Sequence, residues 1–107
     1  MSSITTEGEQ MRIHSPSHPG ELLGEELEER GIALAQVARD LRVSRPTISG
    51  IVNGHKPITA EMAVRIGHYI GNGPDIWLKM QASYDLARAS KQMKAELRNL
   101  PTADARA

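Results

Sequence analysis

Cysteine and phenylalanine are absent from the 107 residues, and the aromatic side chains amount to one Trp and two Tyr. Without cysteine, disulfides and thiolate metal sites are excluded. Without phenylalanine, a core must be built from Leu, Ile, Val, Met and Ala around a single Trp, a set that suits packed helices. No apolar run approaches the roughly 20 residues a bilayer span needs, so no membrane partner is expected. The N-terminal residues lack a basic stretch followed by an apolar one and do not read as a signal peptide. The expected location is the cytoplasm. An excess of one charge is missing too, since 13 Lys and Arg face 13 Asp and Glu. A neutral total argues against indiscriminate binding to nucleic acid.

The charges that are present are unevenly spread. Residues 1–31 set Arg12 and Arg30 against Glu7, Glu9, Glu21, Glu25, Glu26, Glu28 and Glu29, a balance of −5. Residues 32–57 set Arg39, Arg42, Arg45 and Lys56 against Asp40, a balance of +3. A chain of zero net charge can therefore still present one basic face.

Periodicity predicts an all-α domain of five helices, with no strand alternation and no internal repeat. Residues 1–16 show no apolar period and are expected to form a flexible arm. The helical domain is expected over residues 17–92, with a helix end and loose tail over 93–107. The first helix opens near His18-Pro19-Gly20-Glu21, buries Leu22, Leu23 and Leu27, and stops at Gly31. The second carries Leu34, Val37, Ala38 and Leu41 on one face. The third is capped by Ser44, holds Ile48, Ile51 and Val52 inward, and ends near Asn53-Gly54. The fourth starts after Thr59 with Met62, Ala63, Ile66 and Ile70 as its stripe. The fifth opens at Pro74 and extends to about Leu97, with Ile76, Trp77, Met80, Tyr84 and Ala87 along one side.

The segment from Leu34 to Gly54 carries the functional signal: helix, three-residue turn, helix. Ala38 is small enough for two helices to approach closely, and Val43 plugs the turn into the core. Ser44 caps the second helix of the pair, whose N-terminal end then projects as the major-groove element of a helix-turn-helix does. Arg45 suits a guanine edge or a phosphate, and Thr47 and Ser49 suit either. Ser44 and Pro46 lie at the same end. Asn53 and Lys56 are placed for backbone phosphates, which position a protein while base contacts select the sequence. The expected partner is double-stranded DNA.

Catalytic and metal chemistry find no support. His14, His18, His55 and His68 do not form a ligand pattern, and no hydroxyl has an evident base and orienting acid. No cofactor, metal or enzymatic activity is expected. The stripe Ile76, Trp77, Met80 and Tyr84 reads either as core or as a dimer interface. A homodimer through the fifth helix is expected, because paired half-sites raise the low affinity of a single recognition helix.

Residues 18–54 resemble the Cro/lambda-repressor-like helix-turn-helix. A wider set resembles the HigA antitoxins of bacterial toxin–antitoxin modules. It comprises His18-Pro19-Gly20-Glu21, the run from Val43-Ser44 to Asn53-Gly54, Thr59-Ala60-Glu61-Met62-Ala63, and Pro74-x-x-Trp77-Leu78-x-Met80-Gln81-x-x-Tyr84-Asp85-Leu86. The likeness spans about residues 17–90. It implies an antitoxin that neutralises a HigB-type mRNA-cleaving ribonuclease toxin and represses its own operon by binding operator DNA as a dimer. A basic toxin would find complementary charge on Glu21, Glu25 and Glu28. The alternatives are a stand-alone transcription regulator and a pure protein-binding module. The sequence departs from the family pattern at Ala33 and Leu34, at Arg42 where the turn usually has Gly, and at Gly50 on the expected outward face of the third helix.

Overall fold

The structure, a computed structural model, describes residues 16–104. Apart from Pro16, the arm expected over residues 1–16 lies outside the described residues, as does the tail from residue 105 onward. Six helices follow one another among the described residues. They are α1 (Pro19–Glu29), α2 (Leu34–Leu41), α3 (Arg45–Val52), α4 (Ala60–Ile70), α5 (Pro74–Gln92) and α6 (Lys94–Leu97). The sixth appears because the long last helix is interrupted at Met93, where φ is −94° and ψ is 5°.

Local chemistry sets these boundaries. His18 accepts the Gly20 N–H through Nδ1 at 2.9 Å, with Pro19 beginning α1 where a missing N–H costs nothing. α2 is preceded by Ala33 at its N-cap, which has no side-chain acceptor for the free N–H groups. Its other end closes on Arg42 in the left-handed region (φ 60°, ψ 46°), with the Val43 N–H reaching back to the Ala38 carbonyl at 3.0 Å. A non-glycine residue in this conformation costs about 1–2 kcal/mol. Thr59 caps α4 through the Met62 N–H at 3.2 Å.

α1 packs on α3 and α5, α2 on α3 and α4, and α4 lies along α5. The faces meet in one core of Leu23, Leu27, Val37, Ala38, Leu41, Ile48, Ile51, Ile58, Met62, Ala63, Ile66 and Trp77. Each fully buried Leu or Ile side chain contributes about 1.5–3 kcal/mol. Two glycines allow the closest approaches. A Cβ on Gly20 would stand 1.7 Å from the Ile51 carbonyl oxygen, and one on Gly67 would stand 2.3 Å from the Gly73 carbonyl carbon. Backbone therefore meets backbone where α1 crosses α3 and where α4 meets the turn into α5.

Trp77 is wholly buried, and its indole N–H donates to Asn72 Oδ1 at 2.8 Å. One turn on, Gln81 is buried as well. Its Oε1 accepts the Ile58 N–H at 2.7 Å and its Nε2 donates to Asp85 Oδ1 at 2.9 Å. Ile58 belongs to the loop after α3, so this one side chain ties that loop to α5.

Tyr69 links α4 to α2 by donating its phenol O–H to Asp40 Oδ2 at 2.5 Å. That bond raises the phenol above its ordinary pKa of 10.0, helped by partial burial and the Asp40 charge and opposed by Arg30. The neutral phenol is thus the form the fold prefers. Its contribution is fully present below pH 10 and is lost as pH rises through the raised value. In a phenolate-absorbance titration, one of the two tyrosines should ionise above the ordinary value. Tyr69→Phe should remove that late step and Asp40→Asn should bring it back down. A late step that persists in Tyr69→Phe would contradict the assignment.

Candidate nucleic-acid interface

The two halves of α3 differ in environment. Ile48 and Ile51 are buried, while Ser44, Arg45 and Pro46 at its start are exposed. Ser44 Oγ accepts the Thr47 N–H at 3.2 Å and lies 2.7 Å from the Thr47 hydroxyl oxygen. The cap and the first outward hydroxyl are thereby fixed as a pair. Pro46 stands in the first turn, where no hydrogen bond is lost. Thr47 and Ser49 are half-buried, and Asn53, exposed at the far end, donates from Nδ2 to Ser49 Oγ at 3.3 Å. The Gly50 carbonyl accepts the N–H groups of His55 (2.8 Å) and Lys56 (3.0 Å), folding the loop back along the helix.

Gly50 corrects one expectation. It is not an open outward position, because a Cβ there would stand 2.8 Å from Lys56 Cδ and 2.9 Å from Lys56 Cγ. The missing side chain makes room for the Lys56 stem, whose residue is exposed. The one ion pair among the described residues is Glu26–Arg30 at 3.1 Å. Arg42, Arg45 and Lys56 are all exposed and none meets a carboxylate in such a pair. This leaves an exposed cation on the turn, another on the projecting end of α3, and a third on the loop beyond it.

A second correction concerns α5. Of the stripe read as core or dimer face, Trp77 is 0% exposed, belongs to the protomer's own core and is not available to a dimer interface. Its indole N–H is held by Asn72 in the turn before α5. Ile76 is exposed, while Met80 and Tyr84 are half-buried. Tyr84 packs edge-on against the His18 ring with centroids 4.9 Å apart, and the Arg88 guanidinium lies 5.6 Å from its centroid. Glu21, Glu25 and Glu28 are exposed on one side of α1. Glu21 and Glu25 edge a groove of about 520 Å³ that also contains Leu22, Ile76, Lys79 and Met80.

Sequence reasoning missed the exposed chain on α2. Arg39 Nη2 donates to Gln36 Oε1 at 2.7 Å, and Gln36 Nε2 donates to Asp40 Oδ1 at 2.8 Å. The i, i+3 and i+4 spacing of these residues is a signal that could have found it. It also missed the His18–Tyr84–Arg88 stack, in which His18 is far in sequence from Tyr84 and Arg88, one helical turn apart on α5.

A family model described as helix-turn-helix matches residues 23–77. The solved Pseudomonas aeruginosa antitoxin HigA with the higBA promoter is 37% identical. It superposes with a TM-score of 0.77 over 82% of this chain and 97% of that one. An addiction module antidote protein of the HigA family from Coxiella burnetii is 34% identical, with a TM-score of 0.76 over 82% and 97% of the two chains. Antitoxin HigA-1 of Vibrio cholerae is 38% identical over 72 residues, which are 66% of this chain and 68% of that protein. The chain belongs to the HigA family of helix-turn-helix proteins. The HigA-like stretches of its sequence now have physical roles. In His18-Pro19-Gly20-Glu21, the histidine caps α1 and the glycine admits the α3 backbone. In the α5 stretch, Trp77 and Gln81 face the core; Trp77 bonds Asn72 of the preceding turn and Gln81 holds the loop after α3.

Proposed function

We propose that the chain is an antitoxin of the HigA type that binds operator DNA and neutralises a HigB-type ribonuclease toxin. The observation that carries the DNA part is the start of α3. Its apolar face is locked in the core, and its capped end presents Arg45 outside any ion pair among the described residues. Arg45, Pro46, Thr47 and Ser49 meet base edges, while Ser44, Asn53 and Lys56 meet phosphates. The solved HigA relative with its promoter supports this use of the fold. The proposed homodimer pairs through α5, with Ile76 and Met80 as its apolar contacts. The proposed toxin surface is the exposed acidic side of α1 formed by Glu21, Glu25 and Glu28, apart from the Ile76 and Met80 contacts of the dimer; a basic ribonuclease suits this charge.

The test is an anisotropy titration of the protein on the DNA upstream of its own gene, repeated across salt concentrations. Specific binding should weaken steeply with salt, and Lys56→Ala should reduce affinity evenly across sequences while lowering the salt slope by about one. Equal affinity for upstream and scrambled DNA would contradict operator recognition. For the toxin, Glu21→Lys/Glu25→Lys should abolish co-purification with the neighbouring gene product while leaving DNA binding intact. Retained co-purification would move the toxin elsewhere.

A further inference from the structure

We propose that the operator footprint continues past α3 onto α5, where Arg88 and Lys56 hold one further backbone phosphate. This rests on the DNA-binding reading above and adds a contact that reading does not contain. A cavity of about 250 Å³ opens between the loop after α3 and the flank of α5, with His55, Lys56, Pro57, Tyr84, Asp85 and Arg88 on its lining. The loop that lines the cavity, from Gly54 to Pro57, leads directly out of α3. His55 and Lys56 are held by the Gly50 carbonyl, and the Lys56 stem crosses Gly50. The anion assigned to the cavity is a backbone phosphate next to those proposed to meet Asn53 and Lys56.

The second cation is positioned by a relay of contacts. The His18 ring is fixed by its cap to the Gly20 N–H, and the Tyr84 ring stands at 73° to it. Arg88 lies over the Tyr84 face, an arrangement that restrains a long side chain before any ligand arrives. Asp85 is the single carboxylate on the lining, and its Oδ1 already accepts from Gln81 Nε2. Two cationic residues against one carboxylate on the lining leave the cavity positive, and a guanidinium fork together with an ammonium suits a phosphate. The link through Gln81 and Ile58 holds loop and helix together, so the two cations keep their spacing.

The experiment titrates the full chain and its Arg88→Gln, Arg88→Lys and Asp85→Asn variants against operator DNA and single-base variants at several salt concentrations. Arg88→Gln should weaken every sequence alike, by about two- to fivefold as for an exposed ion pair. Its salt slope should fall by about one. Arg88→Lys should keep the slope, and Asp85→Asn should tighten binding. An Arg88→Gln protein with wild-type affinity and slope overturns the proposal while leaving operator recognition by α3 standing. Failure of the wild type to prefer operator overturns both. A parallel titration with inorganic phosphate separates the sources. Free phosphate binding that depends on Arg88, with DNA binding unchanged in Arg88→Gln, assigns the cavity to a small anion and overturns the DNA assignment.

Discussion

Arg45→Ala should weaken operator binding by about 1–3 kcal/mol, roughly 5- to 150-fold, if the guanidinium pairs with a guanine edge. The loss should be concentrated at one base position of each half-site, because a bidentate contact discriminates and a phosphate contact does not. Folding should be unaffected. Arg45 is exposed, lies outside the Ile48 and Ile51 face, and follows a cap made by Ser44. The comparison with Lys56→Ala is informative, since that change should act on all sequences equally. Circular dichroism and a melting curve establish that the variant is folded. A folded Arg45→Ala protein with undiminished affinity would remove α3 from the reading role.

Among the described glycines, Gly20→Ala should have the largest effect on stability. The new Cβ would meet the Ile51 carbonyl oxygen at 1.7 Å and its carbonyl carbon at 2.7 Å, so α1 and α3 must separate. Overpacking typically costs about 1–3 kcal/mol, occasionally more. Here the obstacle is backbone, which cannot rotate away, so the upper end or beyond is expected. For a domain of ordinary marginal stability, about 5–15 kcal/mol in all, this is a large share. Gly24→Ala is the control, since its Cβ would meet only Val52 Cγ1, at 3.1 Å. Urea titration should show a much lower midpoint for Gly20→Ala and a nearly unchanged one for Gly24→Ala, with equal slopes. The folded fraction of Gly20→Ala should also bind operator less well, because α3 loses its seat on α1. Equal midpoints for the two variants would mean that the α1–α3 contact is looser than the structure has it.

Features fixed by neighbours in the chain were legible in the sequence. The stripe Leu34, Val37, Ala38 and Leu41 predicts α2, and the structure buries its last three members. Ser44 and Thr59 were readable as caps because a cap needs only the residue and the next turn. The positive φ at Arg42 was readable from the turn position that usually holds glycine. Residues whose roles depend on distant partners were not legible. Gln81 was given no role from the sequence, yet the Ile58 N–H, 23 residues earlier, needs an acceptor inside the core and Gln81 supplies it. Trp77 sat in a stripe compatible with core or interface, and only the assembled fold shows it buried in the protomer's own core. Gly50 looked open because only the folded loop brings the Lys56 stem across it. The surface of α3 was likewise readable residue by residue, whereas the pairing of Asn53 with Ser49 and the stack beneath Arg88 depend on the assembled fold.

Whether the start of α3 is the element that reads DNA can be tested most directly by an amide-resolved NMR titration of the labelled protein with its operator. The largest shifts should fall on Ser44, Arg45, Thr47 and Ser49. Asn53, His55 and Lys56 should follow, and Glu21, Glu25 and Glu28 on α1 should stay nearly still. Scrambled DNA should move the loop residues without moving Arg45 to the same extent. A titration in which operator DNA shifts the α1 glutamates and leaves residues 44–49 in place would contradict DNA reading by α3.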